Sequence, residues 1–159
     1  MRRTWLWLFF TIVLAGTCYA GQDVDLASQP VDISSRRLEV DEQAKTATFS
    51  GDVIARQGDV TLYSDMLILV LGEKEALEKL NAVDNVRIVR GDEVATANRA
   101  DYDLKRQEII LQGNAKIHRG DNSLSGEQIM IDLTTRRSVV TTDAEGRVRA
   151  QFRPQQGGE

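Results

Sequence analysis

Apolar and polar residues alternate with period two over most of the chain, in short stretches broken by Gly, Asp and Asn. Ala47, Phe49, Val53 and Ala55 form one series, Leu80, Ala82, Val86 and Ile88 a second, and Ile109, Leu111, Ala115 and Ile117 a third. Successive side chains of a strand point to opposite faces, so this spacing predicts strands with one buried face. The series also superpose without a gap. Phe49-Ser-Gly-Asp-Val-Ile-Ala-Arg-Gln-Gly-Asp-Val aligns with Ala82-Val-Asp-Asn-Val-Arg-Ile-Val-Arg-Gly-Asp-Glu and with Leu111-Gln-Gly-Asn-Ala-Lys-Ile-His-Arg-Gly-Asp-Asn.

Gly58-Asp59, Gly91-Asp92 and Gly120-Asp121 hold the register of this repeat. Downstream of each pair stands Asp65, Asn98 or Glu127, followed by apolar positions two apart: Leu67, Leu69, Leu71; Ala100, Tyr102, Leu104; Ile129, Ile131, Leu133. Leu38 and Val40 fill the same slots in a partial first copy that follows Val31-Asp32-Ile33. The steps from Leu38 to Leu67, Ala100 and Ile129 are 29, 33 and 29 residues, a unit of about thirty with one insertion around Gly72-Glu73-Lys74-Glu75. Each unit therefore holds two or more half-buried strands, and a repeat of this length buries its apolar face by stacking on its neighbours.

The expected fold is all-β, built of stacked antiparallel strands. The Gly-Asp pairs, and Gly51 and Gly113 upstream of them, suit tight turns or bulges, where a bulky residue would be strained. Glu73 to Leu80 could form a short helix with Glu75 and Lys79 one turn apart, but it reads better as an inserted hairpin loop. The inside of such a stack is a long apolar trough. It is a packed core if the two halves of each unit close, and a groove if they splay; the aliphatic inward positions, with Phe49 and Tyr102 as inward aromatics, suit both. The ends look strand-like and uncapped: Val31-Asp32-Ile33 on one side, Val139-Val140 and Val148 to Phe152 on the other. Such edges can add to one another, although Pro30 and Pro154 could also terminate them.

Composition narrows the function. Of 159 residues, 42% are hydrophobic and 28% charged, the balance of a globular domain. The first twenty residues differ from the rest. Arg2 and Arg3 precede a run from Trp5 to Leu14 in which only Thr11 is polar, and Cys18-Tyr19-Ala20 places small residues at a cleavage site. This is the pattern of a secretory signal peptide, residues 1–20. The run is short of the roughly 20 residues that span a bilayer, which disfavours an anchor, and Ala15 and Thr17 depart from a lipoprotein signal. A flexible segment (21–28), one domain (29–153) and a disordered tail (154–159) complete the expected organisation.

Removing the signal takes the formal charge from −4 to −6 and leaves no Cys. A net negative chain lacks the cations a nucleic-acid binder needs. With one His and one Cys in the whole sequence, a Cys/His zinc site and a Ser-His-Asp set lack parts. No P-loop is present. The in-phase carboxylates Asp59, Asp92 and Asp121 read as turn residues, since a catalytic acid pair needs two unlike environments. His118 lies beside inward Ile117 and should face outward. No enzyme chemistry, metal or cofactor is expected.

The signal-like start, the Phe49-Ser-Gly-Asp-Val and Leu111-Gln-Gly-Asn-Ala motifs, the Gly-Asp turns, and Ser64-Asp65, Ala97-Asn98-Arg99-Ala100 and Gly126-Glu127 together resemble a known family. It is that of the periplasmic bridge proteins of lipopolysaccharide transport, the OstA-like family, over about residues 29 to 150. The resemblance implies a slightly twisted, open β-jellyroll that holds the lipid A acyl chains of lipopolysaccharide in an apolar groove. It also implies head-to-tail joining of copies between an inner-membrane clamp protein and an outer-membrane translocon.

By position, Val31 and Ile33 fall at the family's groove entrance, and Val86, Tyr102 and Leu104 on its central lining. Val86 is smaller than the aromatic often found there. The inward positions of the repeat complete the expected wall: Leu38, Val40, Phe49 and Val53; Leu67, Leu69, Ile88 and Ala100; Ile117, Ile129 and Ile131. Val31, Asp32, Ile33, Val139, Val140 and Val148 are the expected joining edges.

Overall fold

The computed structural model describes residues 30–142 and 146–153. The expected signal peptide, the segment 21–28 and the tail 154–159 lie outside the described residues. Among the described residues ten strands form one antiparallel sheet: β1 (Asp32–Ser34), β2 (Arg37–Asp41), β3 (Thr46–Gln57), β4 (Val60–Leu71), β5 (Leu77–Arg90), β6 (Glu93–Asp103), β7 (Glu108–Arg119), β8 (Asn122–Asp132), β9 (Arg137–Thr141) and β10 (Arg149–Gln151). The six long strands β3 to β8 pair in chain order, so each thirty-residue repeat is one hairpin. At one end β1 and β2 pair with the two halves of β3; at the other, β10 and β9 pair with the two halves of β8. The all-β, open-sheet expectation holds.

Gly58-Asp59, Gly91-Asp92 and Gly120-Asp121 form two-residue turns whose first residue has φ of 56°, 57° and 54°. Gly suits this left-handed first position in a hairpin turn. Midway along the strands the register slips in every hairpin. Gly51-Asp52 opposes the single residue Asp65, Asp84-Asn85 opposes Asn98, and Gly113-Asn114 opposes Glu127. All six residues of these doublets have positive φ, from 48° to 81°. Two residues against one is a β-bulge, which bends its strand. Bulges stacked at one level fold the whole sheet along a line. The downstream Asp65, Asn98 and Glu127 of the repeat are thereby the residues at the fold line.

The fold line divides the sheet into two wings. The upper wing holds β1, β10 and the halves of the long strands next to the Gly-Asp turns; the lower wing holds β2, β9 and the other halves. The lower turns are built differently. Asp41, Asp103 and Asp132 accept hydrogen bonds at 2.9 Å from backbone N–H groups of Ala44, of Arg106, and of Thr134 and Thr135. Backbone bonds of 2.9 Å, from Leu71 to Lys45, Leu104 to Glu78 and Leu133 to Gln107, tie one turn to the next.

The inserted stretch is shorter than the 73–80 loop that was expected. Only Glu73–Glu75 form a 3-10 turn, and Leu77 already begins β5. The reason is pairing: Leu80 is held between Leu69 and Tyr102, and Lys79 meets Asp103 at 3.6 Å rather than Glu75. The core fills the angle between the wings. Val53, Val86, Ala97 and Ala115 lie near the fold line, while Leu67, Ala82, Ala100, Leu111 and Ile129 form the lower wing's inner face.

Candidate functional site

Cross-strand registers place whole rows of side chains on the inner faces. Leu38, Phe49, Leu67, Ala82, Ala100, Leu111, Ile129 and Val140 form one transverse row of the lower wing, and Val40, Ala47, Leu69, Leu80, Tyr102, Ile109, Ile131 and Ser138 the next. The upper wing answers with Ile33, Ala55, Leu62, Ile88, Ala95, Ile117 and Leu124. Near the fold line these faces close on each other; away from it they part. Between them lies an open cavity of about 230 Å³ whose walls are mostly aliphatic. Tyr102 is the one aromatic in its lining.

Of the expected groove residues, Val31, Leu67, Ile88, Ala100, Tyr102 and Ile131 line this cavity together. Val53, Val86 and Ile129 are buried in the core beneath it, and Ile33, Phe49, Leu69 and Ile117 pack half-buried against that core. Leu38 and Val40 share the inner rows but stand uncovered at the end of the sheet. Leu104 lies beyond the end of β6, in the turn, and does not line the cavity. Of the expected joining residues, Asp32 and Ile33 belong to β1, Val139 and Val140 to β9, and Val148 precedes β10.

The expected wall omitted Ala55, Leu62, Leu80, Ala82, Ala95, Ile109, Leu111 and Leu133, which also line the cavity. The signal for most of them was present in the same alternation, since a cross-strand partner of an inward residue is itself inward. The mouth of the cavity was not foreseen. On the upper wing the lip is polar, with Gln57, Arg90 and Glu93 among its lining residues. Arg90 Nε donates to Asp59 at 3.0 Å, and Arg119 pairs with Glu93. That hydrogen bond to Glu93 holds the Arg119 guanidinium above its usual range. On the lower wing the lip is apolar, with Leu133 in the lining and Leu71 and Leu104 at the neighbouring turns.

His118 faces away from the cavity, opposite Val94 and Ser123. Among the described residues no group of His, Cys, Asp and Glu could hold a metal ion. The site can therefore bury apolar chains between its walls while polar groups remain at the upper lip.

The model of the family "LptA/(LptD N-terminal domain) LPS transport protein" matches residues 32–137. The chain belongs to this family. The resemblance drawn from the repeat motifs and the open β-jellyroll agree with it. Among relatives, the lipopolysaccharide export system protein LptA of Haemophilus influenzae is 24% identical over 161 residues, covering 94% of this chain and 91% of the relative. LptA of Escherichia coli K12 is 25% identical over 139 residues, 80% of this chain and 73% of the relative. A solved structure of LptH from Pseudomonas aeruginosa, described as the LptA-homologous periplasmic component of a lipopolysaccharide transport device, superposes with a TM-score of 0.72. It covers 80% of this chain and 98% of its own, at 18% identity, and so speaks for the fold.

Proposed function

We propose that the chain is a periplasmic bridge component that carries lipopolysaccharide from the inner to the outer membrane, with the lipid A acyl chains held between the two wings. The observation that carries this reading is the aliphatic cavity, open along one side, in a member of a lipopolysaccharide-transport family. Each acyl CH₂ withdrawn from water contributes about 0.8 kcal/mol. A cavity walled by aliphatic residues gives that energy without demanding one chain geometry. The polar upper lip leaves phosphates and sugars hydrated. The sequence carries no P-loop, and in this reading the push comes from outside the chain.

Copies join head to tail in this reading, the split edge β1/β2 of one meeting β9/β10 of the next, with a clamp protein and a translocon at the two ends of the bridge. The exposed inner-face residues Leu38 and Val40 at one end, and the exposed Val148 and Phe152 flanking β10 at the other, support it. A scaffold with a sealed interior that binds polysaccharide or protein is the contrasting reading.

The test places a photo-crosslinking amino acid at Tyr102, inside the cavity, and in a second variant at His118, outside it. Lipopolysaccharide should be captured at Tyr102 and scarcely at His118. Capture at neither position by folded protein would replace the conduit with the sealed scaffold.

A further inference from the structure

The outer faces of the two wings treat their cations differently. On the lower wing the outward Lys79 and Arg99 each rest on a carboxylate, Asp103 at 3.6 Å and Asp101 at 2.7 Å. On the upper wing the registers run Ile54, Tyr63, Arg87, Thr96, Lys116, Ser125 and Arg149 in one transverse row that contains no carboxylate. Arg87, Lys116 and Arg149 are exposed, and among the described residues none has an ion-pair partner. Arg87 lies 5.7 Å from the Tyr63 ring, a cation–π distance. In the next row out Asp32 is the one acid, on the first strand.

The three cations stand on β5, β7 and β10, with one strand between each pair. At about 4.8 Å per strand they recur every ~9.6 Å, in single file, parallel to the cavity. Three exposed cations stand in file on a chain of net charge −4, Arg87 beside the Tyr63 ring and none of the three in an ion pair among the described residues, and so are available to an anionic partner. Their spacing follows from the repeat, because Arg87 and Lys116 occupy one slot of successive units.

We propose that this row is a docking track for a linear acidic polysaccharide. A file of point charges fits a linear polyanion, and the hydroxyls of Thr96 and Ser125 between the cations, with that of Tyr63 beside Arg87 at the end of the file, offer hydrogen bonds to sugar hydroxyls. A bilayer surface is the weaker match. It would favour cations spread in two dimensions with an apolar group to insert, and the exposed large apolar residues all lie outside this row. The track lies on the far side of the upper wing from the cavity, so a bound polymer leaves the groove open.

The test immobilises polygalacturonate and measures binding of the purified full chain. Wild type should bind with steep salt dependence. The variant Arg87→Gln/Lys116→Gln/Arg149→Gln should bind at least about 30-fold more weakly, at roughly threefold to fivefold per cation. Lys79→Gln/Arg99→Gln, on the opposite wing, should bind as wild type does. Should the triple variant unfold on heating far below wild type, Lys116→Gln alone carries the test, with a threefold to fivefold loss.

No binding by wild type, equal losses in both sets of variants, or row-dependent binding to phosphatidylglycerol vesicles but not to the polymer would each overturn the proposal. Capture of lipopolysaccharide at Tyr102 is read separately and is expected to be unchanged in the triple variant, so failure of the track leaves the conduit standing.

Discussion

Leu38, Leu67 and Ile129 occupy one slot of the repeat and one row of the sheet, yet their surroundings differ completely. Leu67 is 1% and Ile129 0% exposed, whereas Leu38 is 52% exposed. The residue type is the same or nearly so; what differs is position in the stack. Leu67 has paired strands on both sides, and the strand of Leu38 has a neighbour on one side only. Burial in this molecule is thus a property of the layer rather than of the residue, as expected where each repeat touches only its neighbours. In the proposed head-to-tail bridge, an inward apolar residue in an end layer is a core position that the next copy would cover.

The sharpest way to break that contrast is to truncate the same slot in both places. Leu67→Ala should destabilise the chain by about 2–5 kcal/mol, the range for a fully buried leucine whose surroundings cannot collapse. Leu38→Ala should cost the isolated chain less than about 1 kcal/mol, since half of that side chain is already in water. Urea unfolding measures both. Light scattering should then show the reverse ranking for self-association, with Leu38→Ala shortening the oligomers. Equal destabilisation by the two would mean that the first layer is not an open end.

The fold line gives a smaller, equally local contrast. Gly113 has φ of 75°, and a Cβ there would stand 2.6 Å from Asn98 Nδ2 and 2.9 Å from its Cβ. Gly91, in an upper turn, has φ of 57° but no atom within 4 Å of such a Cβ. Gly91→Ala should therefore cost only left-handed strain, about 1–2 kcal/mol, and Gly113→Ala about 1 kcal/mol more, because Asn98 must also move. Thermal melts of the two variants check the order. A larger loss at Gly91 would remove the fold line from the list of tightly packed places.

This layered organisation explains what was legible in the sequence. Hairpins and turns are local and recur in phase, so Gly58-Asp59 and Gly113 stood out as turn or bulge positions, without telling the one from the other, and the parity of Tyr102 and His118 followed from counting by two. How each half of the sheet continues to its end is not local. Leu104 keeps the alternation of Tyr102 but falls past the last ladder position, where Asp103 turns the chain. The insertion near Gly72 looked like a loop through Leu80, because nothing in its own sequence reports that β4 and β6 on either side reach that far. The lip residues Arg90 and Glu93 were invisible for a related reason: which polar end of a strand borders the cavity depends on the fold line, and the fold line depends on bulges read across several strands.

The smallest effect reads the aspartate-built lower turns by pH. At the lower turns, backbone N–H bonds hold the carboxyls of Asp103 and Asp132 below the ordinary aspartate range: from Arg106 to Asp103, and chiefly from Thr135 to Asp132. The unfolded chain, with ordinary aspartates, then binds more protons than the folded one at acid pH, so stability rises with pH across that window. The contribution is fully present above the ordinary aspartate value and is lost as the pH falls through the lower folded values. Asp103→Asn/Asp132→Asn keeps an oxygen acceptor in each turn but removes the charge. The double variant should be slightly less stable than wild type at neutral pH and should lose less stability between pH 5 and pH 3 in urea titrations. An acid limb equally steep in the double variant and in wild type would mean that these backbone-to-carboxylate bonds carry no pH-dependent stability.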